Sequence, residues 1–191
     1  EADAPSGITA LEYLVAIQVN RLAVRDPAAY RLLCRLVRYR YQTMPTLDKA
    51  AVTALLWDVP PERHGQLLTS LKNRSLLAAQ KGAYWLHPVS RAKAISRLRK
   101  SNGESRGESD EWAAANHAAA QYWSGQIRKM TSVSDALVAL EAYYHLIAIA
   151  DYDGAAAVLL KSRHNQWNQF LPLASSLYRK GLLQPAINAI T

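Results

Sequence analysis

Hydrophobic residues in the first part of the chain recur every three or four positions, the spacing that places them on one face of an α-helix. A first helix is therefore predicted within residues 1–25, with its apolar positions at Leu11, Leu14, Val15, Ile17, Val19 and Leu22. Asp26 precedes Pro27, a pair typical of a helix start because Asp caps backbone N–H groups and Pro suits the first helical position. The second helix is predicted to bury one face and expose three arginines: Tyr30, Leu33, Leu36 and Val37 inward, and Arg31, Arg35 and Arg38 outward.

Caps and turn residues predict the next elements. Thr46 is the expected cap of a third helix, and Pro61 is the expected start of a fourth. Lys81 and Gly82 then separate "SLLAAQ" from "AYWLH", which predicts a short β-hairpin. A basic helix is predicted to follow Pro88.

The order helix, helix, helix, hairpin, helix is that of a winged-helix module. We therefore assign residues 26–99 to a winged-helix domain and residues 1–25 to a helix from a preceding helical domain. Residues 100–110, "KSNGESRGESD", are polar and rich in Ser and Gly, as expected of a linker. The predicted fold class is mainly α, beginning with a winged-helix domain that has a small β-hairpin.

The second half shows no strand pattern, so helices are predicted over residues 111–124, 134–150, 153–162, 166–180 and 185–190. A weak repeat with an offset of 31 residues predicts that residues 111–191 form tetratricopeptide (TPR)-like α-helical repeats. It aligns Ala150, Ala155 and Leu159 with Gly181, Ala186 and Ile190.

The large aromatic side chains of this half are predicted to fill the gaps between packed helices. They are Trp112, Tyr122, Trp123, Tyr143, Tyr144, Tyr152, Trp167 and Tyr178. A protein-binding groove lined by some of them is the alternative, because sequence alone does not separate core from lining. An unknown protein partner is accordingly expected on the helical repeats.

The composition is that of a globular protein, with 191 residues, 50% hydrophobic and 20% charged. No apolar run approaches the roughly 18 to 20 residues that a membrane span requires, so no membrane partner is expected. The N-terminal residues lack the basic and apolar regions of a signal peptide. The single cysteine, Cys34, permits no internal disulfide. We therefore expect a cytoplasmic protein.

The net charge of +8 arises in the first 100 residues, which hold 16 Lys/Arg and 7 Asp/Glu, against 7 and 8 in the remainder. Such a basic half suits nucleic acid or an acidic protein, or it is a solvated helical surface. A winged helix that reads DNA would use its fourth predicted helix and its wing, with contacts from Arg63, His64, Gln66, Lys72, Arg74 and Lys81. Because other arginines lie away from these elements, DNA binding is the alternative and not the main hypothesis.

Motifs for catalysis are missing from the sequence. Neither Gly-x-Gly-x-x-Gly nor Gly-x-x-x-x-Gly-Lys-Ser/Thr occurs, so the chain alone should hold no nucleotide cofactor and should not hydrolyse ATP. None of the five histidines forms a pair with the helical spacing that binds zinc, and no metal site is expected. Asp151 and Asp153 fit a turn. We expect no catalytic residue and no enzyme activity from this chain alone.

Several segments resemble the C-terminal side of STAND-type signalling NTPases, the NB-ARC or AP-ATPase-like proteins. They are "LLCRLVRYR", "TLDKAAVTALLW", "LLTSLKNRSLLAAQKGAYWLHPVSRAKAISRL", "HAAAQYW" and "ALEAYYHLIAIADYDGAAAVLL". The resemblance extends from about Leu11 to Ile190. It is most specific in "LKNRSLL" and "YWLHPVSRAKA", where the family has an Arg-Ser-Leu-like helix end and a His at the junction of wing and helix.

The resemblance implies a winged helix that packs on a nucleotide-binding core of the same protein and swings away on activation. Leu86, His87 and Pro88 would correspond to the family's Met-His-Asp motif, which makes His87 the candidate sensor of the ADP β-phosphate. Pro88 stands where the motif has Asp. From the residues alone, His87 fits equally well as a cap at the strand-to-helix corner. ATP or ADP is thus implied for the parent protein, with the helical repeats as its sensor.

Overall fold

The computed structural model describes residues 9–39, 45–101, 106–182 and 184. The chain divides into two compact units, Glu1–Glu111 and Trp112–Thr191. Most of the described residues are helical and the strands are short, so the predicted mainly α class is confirmed.

The first unit has the order of elements that the sequence predicts. Its elements are α1 (Ala10–Arg25), α2 (Pro27–Leu36), α3 (Lys49–Ala54), α4 (Pro61–Asn73), β1 (Ala78–Gln80), β2 (Ala83–Trp85), α5 (Pro88–Ser101) and the start of α6 (Arg106–Gln126). The cap of α3 differs from the prediction. The Asp48 carboxylate accepts a hydrogen bond from the Ala51 N–H at 2.7 Å, so Asp48 and not Thr46 caps this helix.

β1 and β2 form the antiparallel hairpin predicted at Lys81 and Gly82. These two turn residues have φ of 49° and 80°, and positive φ at both positions is typical of the tight turn whose twist matches the strands. Leu47, before α3, pairs with Tyr84 of β2 through two backbone hydrogen bonds of 2.8 and 2.7 Å. The hairpin is thereby joined to the chain that precedes α3.

α1 belongs to the core of the first unit. It packs against α2 and α5, and its Val19 and Leu22 side chains are fully buried. Its first turn is closed by a capping box, in which Thr9 and Glu12 each accept the other's backbone N–H. The sequence assigned this helix to a preceding domain, whereas the structure packs it with the helices that follow.

Arg35 points inward, so the prediction that it faces outward is wrong. Its side chain is 2% exposed, and the five consecutive residues 32–36 of α2 are all buried. A helix with one solvated face cannot bury five residues in succession, because they span more than one turn. Neighbouring segments therefore enclose this part of α2 on every side, and Arg31 remains at the surface while Arg38 is half-buried.

The second unit contains a three-stranded sheet that the sequence did not predict. Its elements are the rest of α6, β3 (Lys129–Met130), α7 (Val133–Ile147), α8 (Tyr152–Leu160), β4 (Ser162–Asn165), β5 (Phe170–Pro172) and α9 (Leu173–Arg179). The strand order is β3-β4-β5, with β3 parallel and β5 antiparallel to β4. The helix predicted over residues 166–180 is wrong in its first part, where Asn168 is left-handed (φ 59°) and Pro172 precedes α9.

The aromatic residues of the second unit are buried only in part. Trp123 and Tyr143 are buried as predicted, at 4% and 8% exposure. Tyr152, Trp167 and Tyr178 were expected inside but are 68%, 68% and 65% exposed. For Trp167 the reason is direct: the helix that would have turned it inward is a strand-to-strand turn instead.

One position of the weak repeat has a structural counterpart. Ala150, after α7, and Gly181, after α9, both have positive φ, at 57° and 73°. A left-handed residue just past a helix is a common way to end it, and Gly adopts that conformation most readily. Ala155 is buried in α8, whereas its repeat partner Ala186 lies outside the described residues, as does Ile190.

Both ends of the segment predicted as a linker, residues 100–110, are helical. α5 extends to Ser101 and α6 begins at Arg106, so residues 106–110 are helical. Residues 102–105 lie outside the described part of the chain, as does the helix predicted over residues 185–190.

Asp58 accepts two hydrogen bonds from the buried Arg35 guanidinium, at 2.6 and 3.0 Å. Replacing Asp58 by Ala should lower the free energy of unfolding by about 2 kcal/mol, because the buried guanidinium then loses both of these bonds. A hydrogen bond from Arg35 lowers the pKa of Asp58. The contribution of Asp58 is therefore present above its unfolded pKa of about 3.9 and is lost as pH falls through the lower folded value. Chemical denaturation near pH 7 and about pH 3, followed by circular dichroism, measures both effects.

Glu62→Ala is the matched control, since Glu62 is an exposed carboxylate in the first turn of α4. It should change the free energy of unfolding by less than about 1 kcal/mol. If Asp58→Ala destabilises the protein no more than Glu62→Ala does, the stabilising role assigned to the bonds between Asp58 and Arg35 is wrong.

Candidate functional site

His87 lies where strand β2 gives way to helix α5. Leu86, just before it, is 5% exposed and holds the corner in the core, whereas the His87 side chain is exposed. The His87 carbonyl accepts the Arg91 N–H at 3.0 Å, and its Nδ1 accepts the Val89 N–H at 3.3 Å. With Pro88 in the first helical position, His87 occupies the position that caps α5.

This capping bond determines which ring nitrogen is left for a ligand. An imidazole that accepts a hydrogen bond at Nδ1 carries its proton on Nε2 when it is neutral. The Nε2–H of His87 is then a donor on an exposed side chain, of the kind that can bind an anionic oxygen. The capping role and a ligand-binding role therefore use different ring atoms and are compatible.

The first turn of α5 offers few other hydrogen-bond donors to an anion. Pro88 has no N–H, and the Val89 N–H is already bonded to His87. Ser90 is fully buried, and its hydroxyl has no hydrogen-bond partner in the described structure. An anion at this corner would depend mainly on the imidazole, with the helix dipole in support.

The six candidate DNA-contacting residues divide into two groups. Arg63, Gln66 and Lys72 of α4 are exposed, and so is Lys81 in the hairpin turn. The other two are bonded within the unit, His64 by its Nε2 to the Val59 carbonyl at 2.8 Å and Arg74 by its Nη1 to the Ser70 carbonyl at 3.0 Å. Arg63 and Gln66 lie three positions apart and so share one face of α4.

Two acidic side chains bond to Arg35, a cluster that the sequence did not predict. Asp58 accepts two hydrogen bonds from the guanidinium, at 2.6 and 3.0 Å, and Glu111 accepts one at 2.5 Å. Arg35 also donates to the Leu55 carbonyl at 2.7 Å and stacks 3.8 Å from the Trp57 ring centre. Burial alone would lower the pKa of Arg35, but the bonds to Asp58 and Glu111 raise it. With every guanidinium nitrogen engaged, the cluster is structural.

Two more arginines are removed from full solvent exposure: Arg38 is half-buried and Arg163 is buried. Burial lowers the pKa of Arg38 in the first unit to about 10, and burial also lowers the pKa of Arg163 in the second. Arginine nevertheless remains protonated near neutral pH. Arg163 donates to the carbonyls of Ile127 at 3.0 Å and Lys161 at 3.3 Å, while its Nη2 has no partner in the described structure.

A buried polar contact joins α6 to α7 in the second unit. His145 Nδ1 lies 3.0 Å from Asn116 Oδ1, and both residues are 2% exposed. Asn116 also donates to the Trp112 carbonyl at 3.0 Å, and Glu141, one turn before His145, is 1% exposed. The sequence already indicates that Glu141 and His145 lie on the same face of one helix, because residues four apart share a helical face. Their burial favours a structural role.

Within the described residues, no group of three or more His, Cys, Asp or Glu side chains could hold a metal ion. Among the same residues, no helix is both long enough and apolar enough to cross a membrane. Comparisons of the chain with models of protein families, with curated proteins and with solved structures found no match.

Gly65 provides a test of the exposed face of α4. A Cβ added at Gly65 would meet no atom within 4 Å, so Gly65→Ala should stabilise the isolated chain by about 0.5–1 kcal/mol through its higher helix propensity. Gly82→Ala is the opposing control, because its φ of 80° strains any residue with a Cβ. Thermal melting should show a rise of a few degrees for the first variant and a fall for the second.

If Gly65→Ala lowers the melting temperature, an atom must approach α4 more closely than the described structure shows. The conclusion that this face of α4 is open to solvent would then be wrong.

Proposed function

We propose that this chain is the regulatory and protein-interaction part of a STAND-type signalling ATPase. In this proposal residues 26–99 form a winged helix that couples a nucleotide-binding core of the same protein to the TPR-like helical repeats of residues 111–191. The observation that carries the proposal is the exposed His87 at the corner of β2 and α5, because the resemblance to the family rests most specifically on that position.

The first unit supports a winged helix by its order of elements. Three helices, a two-stranded hairpin and a further helix follow one another, and Leu47 adds a third paired segment beside the hairpin. The I′-type turn at Lys81 and Gly82 makes the hairpin short and well defined. Such a compact unit suits a domain that moves as a rigid body.

The second unit supports the interaction role less directly. α7 and α8 form a helical hairpin closed at Ala150, and the repeat aligns that residue with Gly181 after α9. Stacked helical hairpins are the building unit of repeat proteins, which bind partners on their extended faces. Several of the unit's aromatic side chains are exposed, as a partner surface requires.

In the proposed mechanism the core supplies the nucleotide and its phosphate loop, and this chain supplies one hydrogen bond. The Nε2–H of His87 donates to a terminal phosphate oxygen of bound ADP and so favours the closed arrangement. A hydrogen bond to a charged group contributes about 1.5–3 kcal/mol, which is roughly a tenfold or larger difference in affinity. Pro88 in place of the family's Asp leaves the imidazole as the main contact.

The test uses the full-length protein and two substitutions at His87. Asn at this position can still cap α5, because Asn is a good N-cap residue, but it lacks the imidazole. His87→Asn and His87→Ala should both release ADP roughly tenfold more readily. Only His87→Ala should also lower the thermal stability of the apoprotein. ADP retained after purification is measured by chromatography of the denatured sample.

His117→Ala is the matched control, since His117 is an exposed histidine on α6. It should leave ADP retention unchanged. If His87→Asn retains ADP as well as the unsubstituted protein does, His87 acts only as a cap and the sensor role is wrong.

DNA binding by the winged helix is the second candidate, favoured by the exposed pair Arg63 and Gln66 near the start of α4 and by Lys81 in the hairpin turn. If the chain binds duplex DNA at sub-micromolar affinity with a steep salt dependence, this candidate replaces the transducer. Arg63→Ala should then weaken binding roughly tenfold, whereas Lys49→Ala, outside α4 and the hairpin, should have little effect.

A further inference from the structure

The sheet of the second unit has one exposed row of side chains. Lys129 of β3 pairs in register with His164 of β4, which pairs with Phe170 of β5. Residues paired across neighbouring strands point to the same side of a sheet. All three are exposed, whereas Met130 and Asn165, the next pair along, are buried. A cation, an imidazole and a phenyl ring therefore lie side by side on the solvent face.

Two large rings of this region are open to solvent. Phe170 is 63% exposed and Trp167, in the turn between β4 and β5, is 68% exposed. The His164 and Phe170 rings are 5.0 Å apart between centres and are tilted relative to each other, so they make a small continuous aromatic surface. Flat exposed rings of this kind can stack on other planar groups.

The turn that carries Trp167 is held in one conformation by Asn165. The side-chain oxygen of Asn165 accepts the backbone N–H groups of Trp167 and Gln169, each at 2.9 Å. Its amide nitrogen donates to the Gln169 side chain at 2.9 Å, and Asn168 takes the left-handed conformation. Because these bonds fix the backbone, little conformational entropy is lost when the turn meets a partner.

Basic residues outnumber acidic ones at this end of the unit, where the Asp135 carboxylate also lies and accepts the Thr131 N–H at 2.8 Å. Residues 127–131 and 161–182 contain six basic residues and no Asp or Glu: Arg128, Lys129, Lys161, Arg163, Arg179 and Lys180. Hydrogen bonds connect α9 to the sheet region, from Lys180 to the Thr131 carbonyl at 3.0 Å and from Arg179 to the Gln169 side chain at 2.8 Å. Within the described structure, none of the six forms an ion pair with a carboxylate.

We propose that this surface binds single-stranded nucleic acid. Unpaired bases stack on Trp167 and Phe170, and the phosphates lie against Lys129, Arg179 and their basic neighbours. Proteins that bind single strands without sequence preference combine these two features, a cationic track and exposed aromatic rings. The site lies in the second unit and uses none of the residues proposed for nucleotide sensing or for duplex reading.

The exposed rings of Trp167 and Phe170 distinguish a single strand from duplex DNA and from an acidic peptide. In duplex DNA the bases are stacked on each other and are not available to a side chain, so Trp167 and Phe170 would have no partner there. A peptide made of acidic residues alone, such as poly-glutamate, would use the cations and leave the rings exposed. An unpaired strand satisfies both the charge and the aromatic surface.

The experiment measures binding of the full chain to a fluorescent oligothymidine of about 20 nucleotides by fluorescence anisotropy. Trp167→Ala and Phe170→Ala should each weaken binding at least about fivefold, the loss expected for one stacked base. Lys129→Ala should weaken binding and reduce its salt dependence by about one released ion. Both rings are exposed, so the folded state should be retained, which circular dichroism checks.

Two matched controls come from the same chain. Tyr152→Ala removes an aromatic ring that is 68% exposed in α8, outside the basic region, and should leave the affinity unchanged. Inorganic polyphosphate carries the charge without the bases, so its binding should respond to Lys129→Ala and not to Trp167→Ala.

Three results would overturn the proposal. The first is an affinity for oligothymidine that Trp167→Ala and Phe170→Ala leave unchanged. The second is duplex DNA that binds as tightly as the single strand and loses affinity with Arg63→Ala, which assigns binding to the first unit. The third is a poly-glutamate peptide that displaces the oligonucleotide at equal concentration of charge, which identifies an acidic protein as the partner.

Discussion

The first unit depends on the buried guanidinium of Arg35. Its donors join α2 to the Leu55 carbonyl and to Asp58 in the segment between α3 and α4, and they also reach Glu111 in α6. An arginine is suited to this position because its planar fork makes several hydrogen bonds at fixed angles. A buried charge is costly without such partners, so any rearrangement of these segments must break or replace the cluster together.

The buried polar side chains of the second unit have partners of another kind. Asn116 and His145 bond to each other between two helices, and Arg163 is held by backbone carbonyls instead of carboxylates. An arginine without a nearby acid leaves a net positive charge in the sheet region. With the exposed lysines around it, this charge makes a surface of strongly basic character in a half of the chain whose total charge is close to neutral.

The two functional proposals follow from different levels of structure. His87 was identified in the sequence, and the structure adds that its Nδ1 is used for capping while Nε2 is the remaining donor. The single-strand surface was not visible in the sequence, because Lys129, His164 and Phe170 meet only through strand pairing. The exposed positions of Arg63 and Gln66 likewise needed the structure, since His64 and Arg74 of the same set are bonded internally.

The sequence by itself determined the order of elements in the first unit, the helix starts at Asp26 and Pro61 and the hairpin turn at Lys81 and Gly82. These features depend on backbone preferences and hydrogen bonds among residues a few positions apart. Only the tertiary structure decided the inward position of Arg35 and the sheet of the second unit. The spacing of hydrophobic residues describes one helix at a time and does not show how helices pack. The strands of this sheet, of which β3 and β4 are separated in sequence by α7 and α8, are too short to show the alternating pattern of a strand.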